Sequence, residues 1–318
     1  MGRRQGLARA VGVAAALLLS GSSTPAELPL RDARWLVSQD LAADLTHQPA
    51  ECRSASPDAA LRRSEEIGRI AFRAPLLLGG QAARSGLSCA TCHRNGRANA
   101  QFHFPGLSGD AGTADVTASL MSSHRGDDIF NPKPIPDLAG NPAKLKVSRD
   151  PGKDDLRKFI HGLITQEFDG PEPPPAVLDG IAAYVRSLSP EACQGSVPVA
   201  ISLEPMLDDV DEAVRLAQQS YASGDRPTGR LLITAARSIL GMIDERFQVS
   251  GGEKSRELLR DADADLKAIE LGGVISATSF DAWNAKWDSR KRSLRSAEST
   301  SLFSEAILRR QLGAQPGR

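Results

Sequence analysis

Aromatic side chains are scarce, making up 4% of the 318 residues. That argues against a core built around large rings and for helices packed through alanine, leucine, isoleucine and valine. Net charge is missing too, because 39 basic residues balance 39 acidic ones. A chain with no excess of positive charge carries no electrostatic footprint for nucleic acid or an acidic membrane surface. Long apolar runs are also lacking. The run at residues 11–19 is shorter than the ~20 apolar residues that a spanning helix needs. Histidine (5), methionine (4) and cysteine (4) are few enough to be weighed one by one.

The N-terminus has a purpose other than folding. Arg3 and Arg4 precede the apolar run, and small residues around Thr24 and Ala26 precede Glu27. A charged start, a short apolar stretch and a small-residue exit describe a secretory signal peptide. Residues 1–26 are therefore set aside, and the mature chain is expected in the periplasm. In an oxidising compartment, cysteines are usually paired or modified.

Two of the four cysteines lie in Cys89-Ala90-Thr91-Cys92-His93. This is the C-x-x-C-H spacing of c-type haem attachment. Two thiols one helical turn apart reach the two vinyl groups of one porphyrin, and the adjacent imidazole becomes the proximal iron ligand. A zinc site would need a second pair of ligands at metal spacing, and none lies nearby. A thioredoxin-like redox pair would need a strand-then-helix setting, whereas Ser85-Gly86-Leu87-Ser88 reads as a loop. The expectation is one covalent haem c on Cys89 and Cys92, with His93 on the iron.

Around this motif the apolar pattern is helical. Residues 57–72 carry Leu61, Ile67, Ile70 and Phe72. Residues 153–166 carry Leu156, Phe159, Ile160, Leu163 and Ile164. Residues 175–188 carry Val177, Leu178, Ile181, Tyr184, Val185 and Leu188 behind a run of prolines. A haem-bearing turn between packed terminal helices is the layout of a small cytochrome c domain.

The stretch Ile67-Gly68-Arg69-Ile70-Ala71-Phe72, the segment Leu76 to Gly80, and Leu87-Ser88 leading into the motif resemble the opening of a haem domain in the bacterial di-haem cytochrome c peroxidase superfamily. Thr117-Ala118-Ser119-Leu120 is similar to the segment that passes the haem edge there. The resemblance spans residues 57–190 and implies a periplasmic, all-α haem domain that handles electrons or peroxide. This chain departs from the superfamily in holding a single C-x-x-C-H. In cytochrome c folds the first and last helices pack together. Cys52 and Cys193 flank those helices here, so a Cys52–Cys193 disulfide is expected.

The group across the iron from His93 decides between electron transfer and an open, reactive site. Met121 ranks first, because it follows the segment that the resemblance puts beside the haem. His124 ranks second and His103 third, while His161 reads as a packed or capping residue. Each has a plain alternative: Met121 as core, His124 as a solvated loop residue. His47 is expected at the surface.

Residues 194–202 read as a linker, and residues 203–318 as a helical bundle. Helices are expected at 204–223, 226–248, 253–271, 279–297 and 300–312, with glycine pairs as breaks. Trp283 and Trp287, one turn apart, read as packing. The fold class is thus all-α, with a cytochrome c-like haem domain at 27–193 and a bundle behind it. Three functions stand open: an electron-transfer cytochrome with a redox partner protein, a peroxidase-like enzyme, and a haem-based sensor or binding protein.

Overall fold

The computed structural model describes residues 28–193, 197–272 and 276–313. The expected signal peptide at 1–26 lies outside the described residues. The chain is all-α in class, with a few two-residue strands pinning its loops. In order, the first elements are α1 (Leu41–Thr46), β1 (His47–Gln48), α2 (Ala59–Phe72), α3 (Gly80–Arg84), α4 (Cys89–Cys92), β2 (His93–Arg94), β3 (Arg97–Ala98), β4 (Thr113–Ala114), β5 (Lys133–Pro134), α5 (Asp155–Gly162) and α6 (Pro175–Ser187). Then come β6 (Val199–Ala200), α7 (Leu203–Ala222), α8 (Arg226–Arg246), α9 (Glu253–Leu271), α10 (Ala277–Ala297) and α11 (Glu305–Gly313).

Local chemistry explains where the main helices begin. Asp58 caps α2, its carboxylate accepting from the Leu61 amide at 2.7 Å. Pro175 opens α6, where a missing N–H costs nothing. Asp225 caps α8 through the Thr228 amide at 3.1 Å. Helix α5 ends in a π-helical turn, Leu163–Glu167, where periodicity alone had continued the α-helix.

Helices α2 and α6 pack backbone against backbone. A Cβ added at Gly68 would stand 1.9 Å from the carbonyl oxygen of Gly180. Their outer ends are tied covalently, as expected: Cys52 and Cys193 form a disulfide with Cα atoms 5.0 Å apart, 141 residues apart in sequence. The Ser189 amide also donates to the Cys52 carbonyl at 2.8 Å. Replacing both cysteines by serine is expected to cost about 3 kcal/mol, chiefly by freeing a long loop in the unfolded chain. Urea denaturation with and without reductant checks this. Equal midpoints, or two titratable thiols at Cys52 and Cys193 in the denatured, unreduced protein, would refute the bond.

The bundle forms as the apolar periodicity requires. Helices α7, α8, α9 and α10 contact one another in a closed ring. Trp283 and Trp287 stack at 5.3 Å between ring centroids in its centre. Their indole N–H groups donate to the Ala262 carbonyl at 3.1 Å and to Asp211 Oδ1 at 2.6 Å, so neither ring buries an unpaired polar atom.

Four tertiary features join the C-x-x-C-H region to the C-terminal helices. The apolar core is continuous, running from Cys52 and Phe72 through Leu207 and Ile239 to Trp287. Within the stretch read as a linker, Val199–Ala200 pairs antiparallel with His47–Gln48. The N-terminal arm and α11 share a second small core, with Leu28, Leu36 and Leu45 against Leu302 and Leu308. A chain of ion pairs lies where α2 meets α7. Arg69 pairs with Glu66 at 2.9 Å and also with Asp209, and Arg73 pairs with Glu51 at 3.0 Å. Burial pushes the Glu51 carboxyl up, but Arg73 and Arg69 outweigh it and hold the group below its ordinary value.

Candidate functional site

The C-x-x-C turn is α4, a single helical turn closed by a capping box between Ser88 and Thr91. His93 follows it directly, its amide donating to the Cys89 carbonyl. The chain then reverses in a two-residue hairpin. Asn95 and Gly96 both take positive φ, 51° and 75°, and join β2 to β3. This is the tight hairpin that Asn-Gly encodes. A Cβ at Gly96 would strike Leu188 at 2.5 Å, so the hairpin lies flat on the end of α6. Asn99 fixes the turn from outside. It is 5% exposed; its amide donates to the Cys92 carbonyl at 2.9 Å, and its side chain donates to the Thr91 carbonyl at 2.9 Å.

The His93 imidazole is oriented from the far side of the loops. Its Nδ1 lies 3.1 Å from the Pro136 carbonyl oxygen, which makes Nδ1 the donor. Nε2 then carries the lone pair, and it makes no hydrogen bond to the described residues. The loop bearing Pro136 is itself braced. Arg97 grips Asp137 through Nε at 2.8 Å and Nη2 at 2.8 Å. The Leu138 amide donates to the Gly96 carbonyl at 3.0 Å. Arg149 donates to the carbonyls of Leu138, Val185 and Leu188, tying the loop to α6. Phe72 stands 6.3 Å from the His93 ring and 5.2 Å from Tyr184, ring centroid to ring centroid.

Cys89 and Cys92 are both free thiols, and both keep some accessible surface, as does His93. Burial nevertheless pushes the Cys89 thiol up to about 12. Burial, with Cys89 adding to it, pushes the Cys92 thiol up to about 12. Burial also drives the His93 imidazole down to about 4, against the pull of Pro136 and Asp137. The three groups are thus packed into the protein over part of their surface and accessible over the rest. A redox dithiol needs a lowered thiol, and these thiols are raised. Among the described residues no three His, Cys, Asp or Glu side chains cluster to hold a bare metal ion. The donor set on offer is two protonated thiols one turn apart and one neutral, aimed imidazole.

The remaining histidines and Met121 fall in distinct surroundings. Met121 is 1% exposed and belongs to the core that includes Phe72, Phe102 and Phe104. His124 is at the surface, its Nδ1 2.9 Å from Asp169. The His103 amide donates to the Trp35 carbonyl at 2.9 Å, and its ring is half-buried. His161 pairs with Glu172 at 2.8 Å, and His47 is exposed beside Thr46. Of these, Met121 alone is a soft donor sealed inside the haem-motif region.

Several residues escaped the sequence reading. Asn95-Gly96 carries a readable hairpin signal, and that signal was there to be used. Pro136, Asn99 and Arg149 act through contacts distant in sequence and have no local signature. Glu167 is a fourth. It ends the π turn 6% exposed, 3.2 Å from Arg125, with Oε2 unpartnered. Burial raises its carboxyl above the ordinary value although Arg125 and Lys146 pull the other way.

The chain was compared with protein-family models, with curated proteins and with solved structures, and it matches none of them.

Proposed function

We propose that this chain is an exported monohaem c-type cytochrome that passes electrons to and from a redox partner protein. Cys89 and Cys92 would hold the haem through thioethers, and His93 would be the proximal ligand. The observation that carries the reading is the His93 ring. Its Nδ1 is committed to the Pro136 carbonyl, which leaves Nε2 as a free donor atom beside two partly accessible free thiols on one turn. Metal-bound histidines characteristically spend their second nitrogen in this way, which fixes both tautomer and ring orientation. The residues present therefore fit the group. When bound, the haem would supply a one-electron couple, with burial and the hydrogen bonds around its ligand as the protein's levers on its potential.

The rest of the work belongs to the chain. Phe72 and Tyr184 exclude water from the His93 side, and Asn99 and Arg97 hold the turn and the Pro136 loop in register. Met121, buried and polarizable, is the first choice for the distal ligand, ahead of His124 and His103. The bundle at α7–α10 acts as a rigid backing for the haem region and offers the partner a surface. The resemblance to the di-haem cytochrome c peroxidase superfamily agrees with an electron-handling role.

A second reading, a peroxidase-like enzyme, is favoured by one observation. Glu167 is a buried carboxyl with a raised pKa and an unpartnered oxygen, held by Arg125, and peroxide reduction needs such a proton carrier. Anaerobic redox titration with visible spectra separates the two. The cytochrome reading expects one reversible one-electron couple, a low-spin spectrum in both states and a methionine–iron charge-transfer band that Met121→Ala removes. A high-spin ferric spectrum with rapid peroxide consumption, lost in Glu167→Gln, would overturn it in favour of the enzyme.

A further inference from the structure

A cavity of about 410 Å³ lies between the C-x-x-C-H region and the bundle. Its walls include Ala90 and Thr91, the two residues between the motif cysteines, but not Cys89, Cys92 or His93. It therefore backs onto the opposite side of the attachment turn. Much of its lining is apolar, with Trp35 and Ile201 near the arm and Met206, Ile239 and Met242 from α7 and α8. Its size falls in the range of small-molecule sites, which combine apolar walls with a few placed polar groups.

The charges in the wall do not balance. Five guanidinium groups face four carboxylates there, leaving one positive charge in excess. Three pairs are made: Arg31 with Glu245 at 2.6 Å, Arg73 with Glu51 at 3.0 Å, and Arg69 with Asp209. Asp32, Arg94 and Arg246 make none of these pairs, although the Asp32 carboxylate acts through space on both guanidinium groups and Glu245 acts on Arg246. Arg94 donates to the carbonyls of Asp44 and His47, at 2.8 and 3.1 Å, and to no carboxylate. Arg246 is 6% exposed, lies over the Phe303 ring, and donates through Nη1 to the Leu302 carbonyl at 3.1 Å. Its other N–H groups donate to no acceptor among the described residues, and none of them is sealed from accessible space. Accessible donors on a guanidinium can take up an anion through charge-assisted hydrogen bonds. A planar fork is also the side chain best matched to a carboxylate.

We infer that this cavity binds an organic monocarboxylate with an apolar body, its carboxylate on Arg246 and Arg94 and its tail against Ile239, Met242 and Trp35. One excess charge calls for a monoanion. The apolar wall selects against inorganic phosphate and other strongly hydrated ions. Such a ligand would bridge the attachment turn and the bundle, so its occupancy would bear on both.

The test is isothermal calorimetry on the full mature chain as isolated, at low ionic strength, with octanoate, acetate, 1-octanol and inorganic phosphate as probes. Octanoate is expected to bind at least about tenfold tighter than either acetate or 1-octanol, since both the charge contact and the buried tail contribute. Arg246→Met, which keeps length and removes charge, should weaken octanoate at least about tenfold. Met242→Trp, which fills the cavity without touching the guanidinium groups, should abolish binding and guards against a fold defect in the arginine variant. No octanoate binding, phosphate binding as tightly as octanoate, or full octanoate binding by Met242→Trp would each overturn the site.

Discussion

Cys89→Ala/Cys92→Ala protein, exported with intact maturation machinery, is expected to carry no haem that survives denaturation and acid extraction, whereas the parent chain keeps one haem per chain. No other substitution should move a cofactor signal so far, because the thioether bonds are the attachment itself. The single variants should differ from the double one by retaining a haem on one bond. The protonated state of both thiols matters here. Burial raises both, and a thiol kept protonated is slower to oxidise or to form a disulfide. His93→Ala should behave differently again: covalent haem stays, but the low-spin spectrum of the parent is lost. A parent chain purified without covalent haem would sink the cytochrome and the peroxidase readings together. The carboxylate cavity would survive that result, since none of its walls is a motif cysteine or His93.

Gly68→Val is expected to cost about 4 kcal/mol or more, against the ~5–15 kcal/mol of total stability typical of a folded protein. Most overpacking costs less, because side chains shift aside. At this site there is no side chain to shift. The new Cβ would lie 1.9 Å from the Gly180 carbonyl oxygen and 2.5 Å from the Ile181 amide nitrogen. Helix α2 would have to lift off α6, opening the core around Ile67, Ile70, Val177 and Ile181, all nearly fully buried. Phe72 and Tyr184 would separate with them, so the packing beside His93 would loosen too. Denaturation midpoints give the measurement, with Gly224→Ala as control. Gly224 has positive φ, unlike the helical Gly68, and an added Cβ there meets nothing within 4 Å, so only about 1 kcal/mol of backbone strain is expected. A Gly68→Val midpoint no lower than that of the control would refute the close helix contact.

The helices were legible because their signals are local. Asp58, Pro175 and Asp225 mark starts within the sequence, and α7 to α10 bury apolar residues at helical spacing, interrupted in α10 by Arg290 and Lys291 between Trp287 and Leu294. The end of α5 was misjudged by the same logic. Leu163 and Ile164 keep a helical spacing, but the backbone widens to a π turn that buries Glu167. Pairing between distant segments left no trace in composition. The strand at Val199–Ala200 sits in a stretch that reads as linker, because its partner His47–Gln48 lies some 150 residues upstream.

The C-x-x-C-H motif at 89–93 was determined by sequence alone, since the geometry it encodes fits within one helical turn. The all-α class and the Cys52–Cys193 pair followed from periodicity and from the resemblance to a known haem domain. Only the tertiary structure decided how the His93 ring is held. That depends on the Pro136 carbonyl, 43 residues away, and on the Arg97 and Arg149 contacts that brace its loop. Only the tertiary structure, likewise, gathered Arg94 and Arg246 around one cavity. Hydrogen bonds and charges act over a few ångströms of space, whatever the chain distance between the groups. A one-dimensional pattern therefore records the donor set but not the surroundings that give it a task.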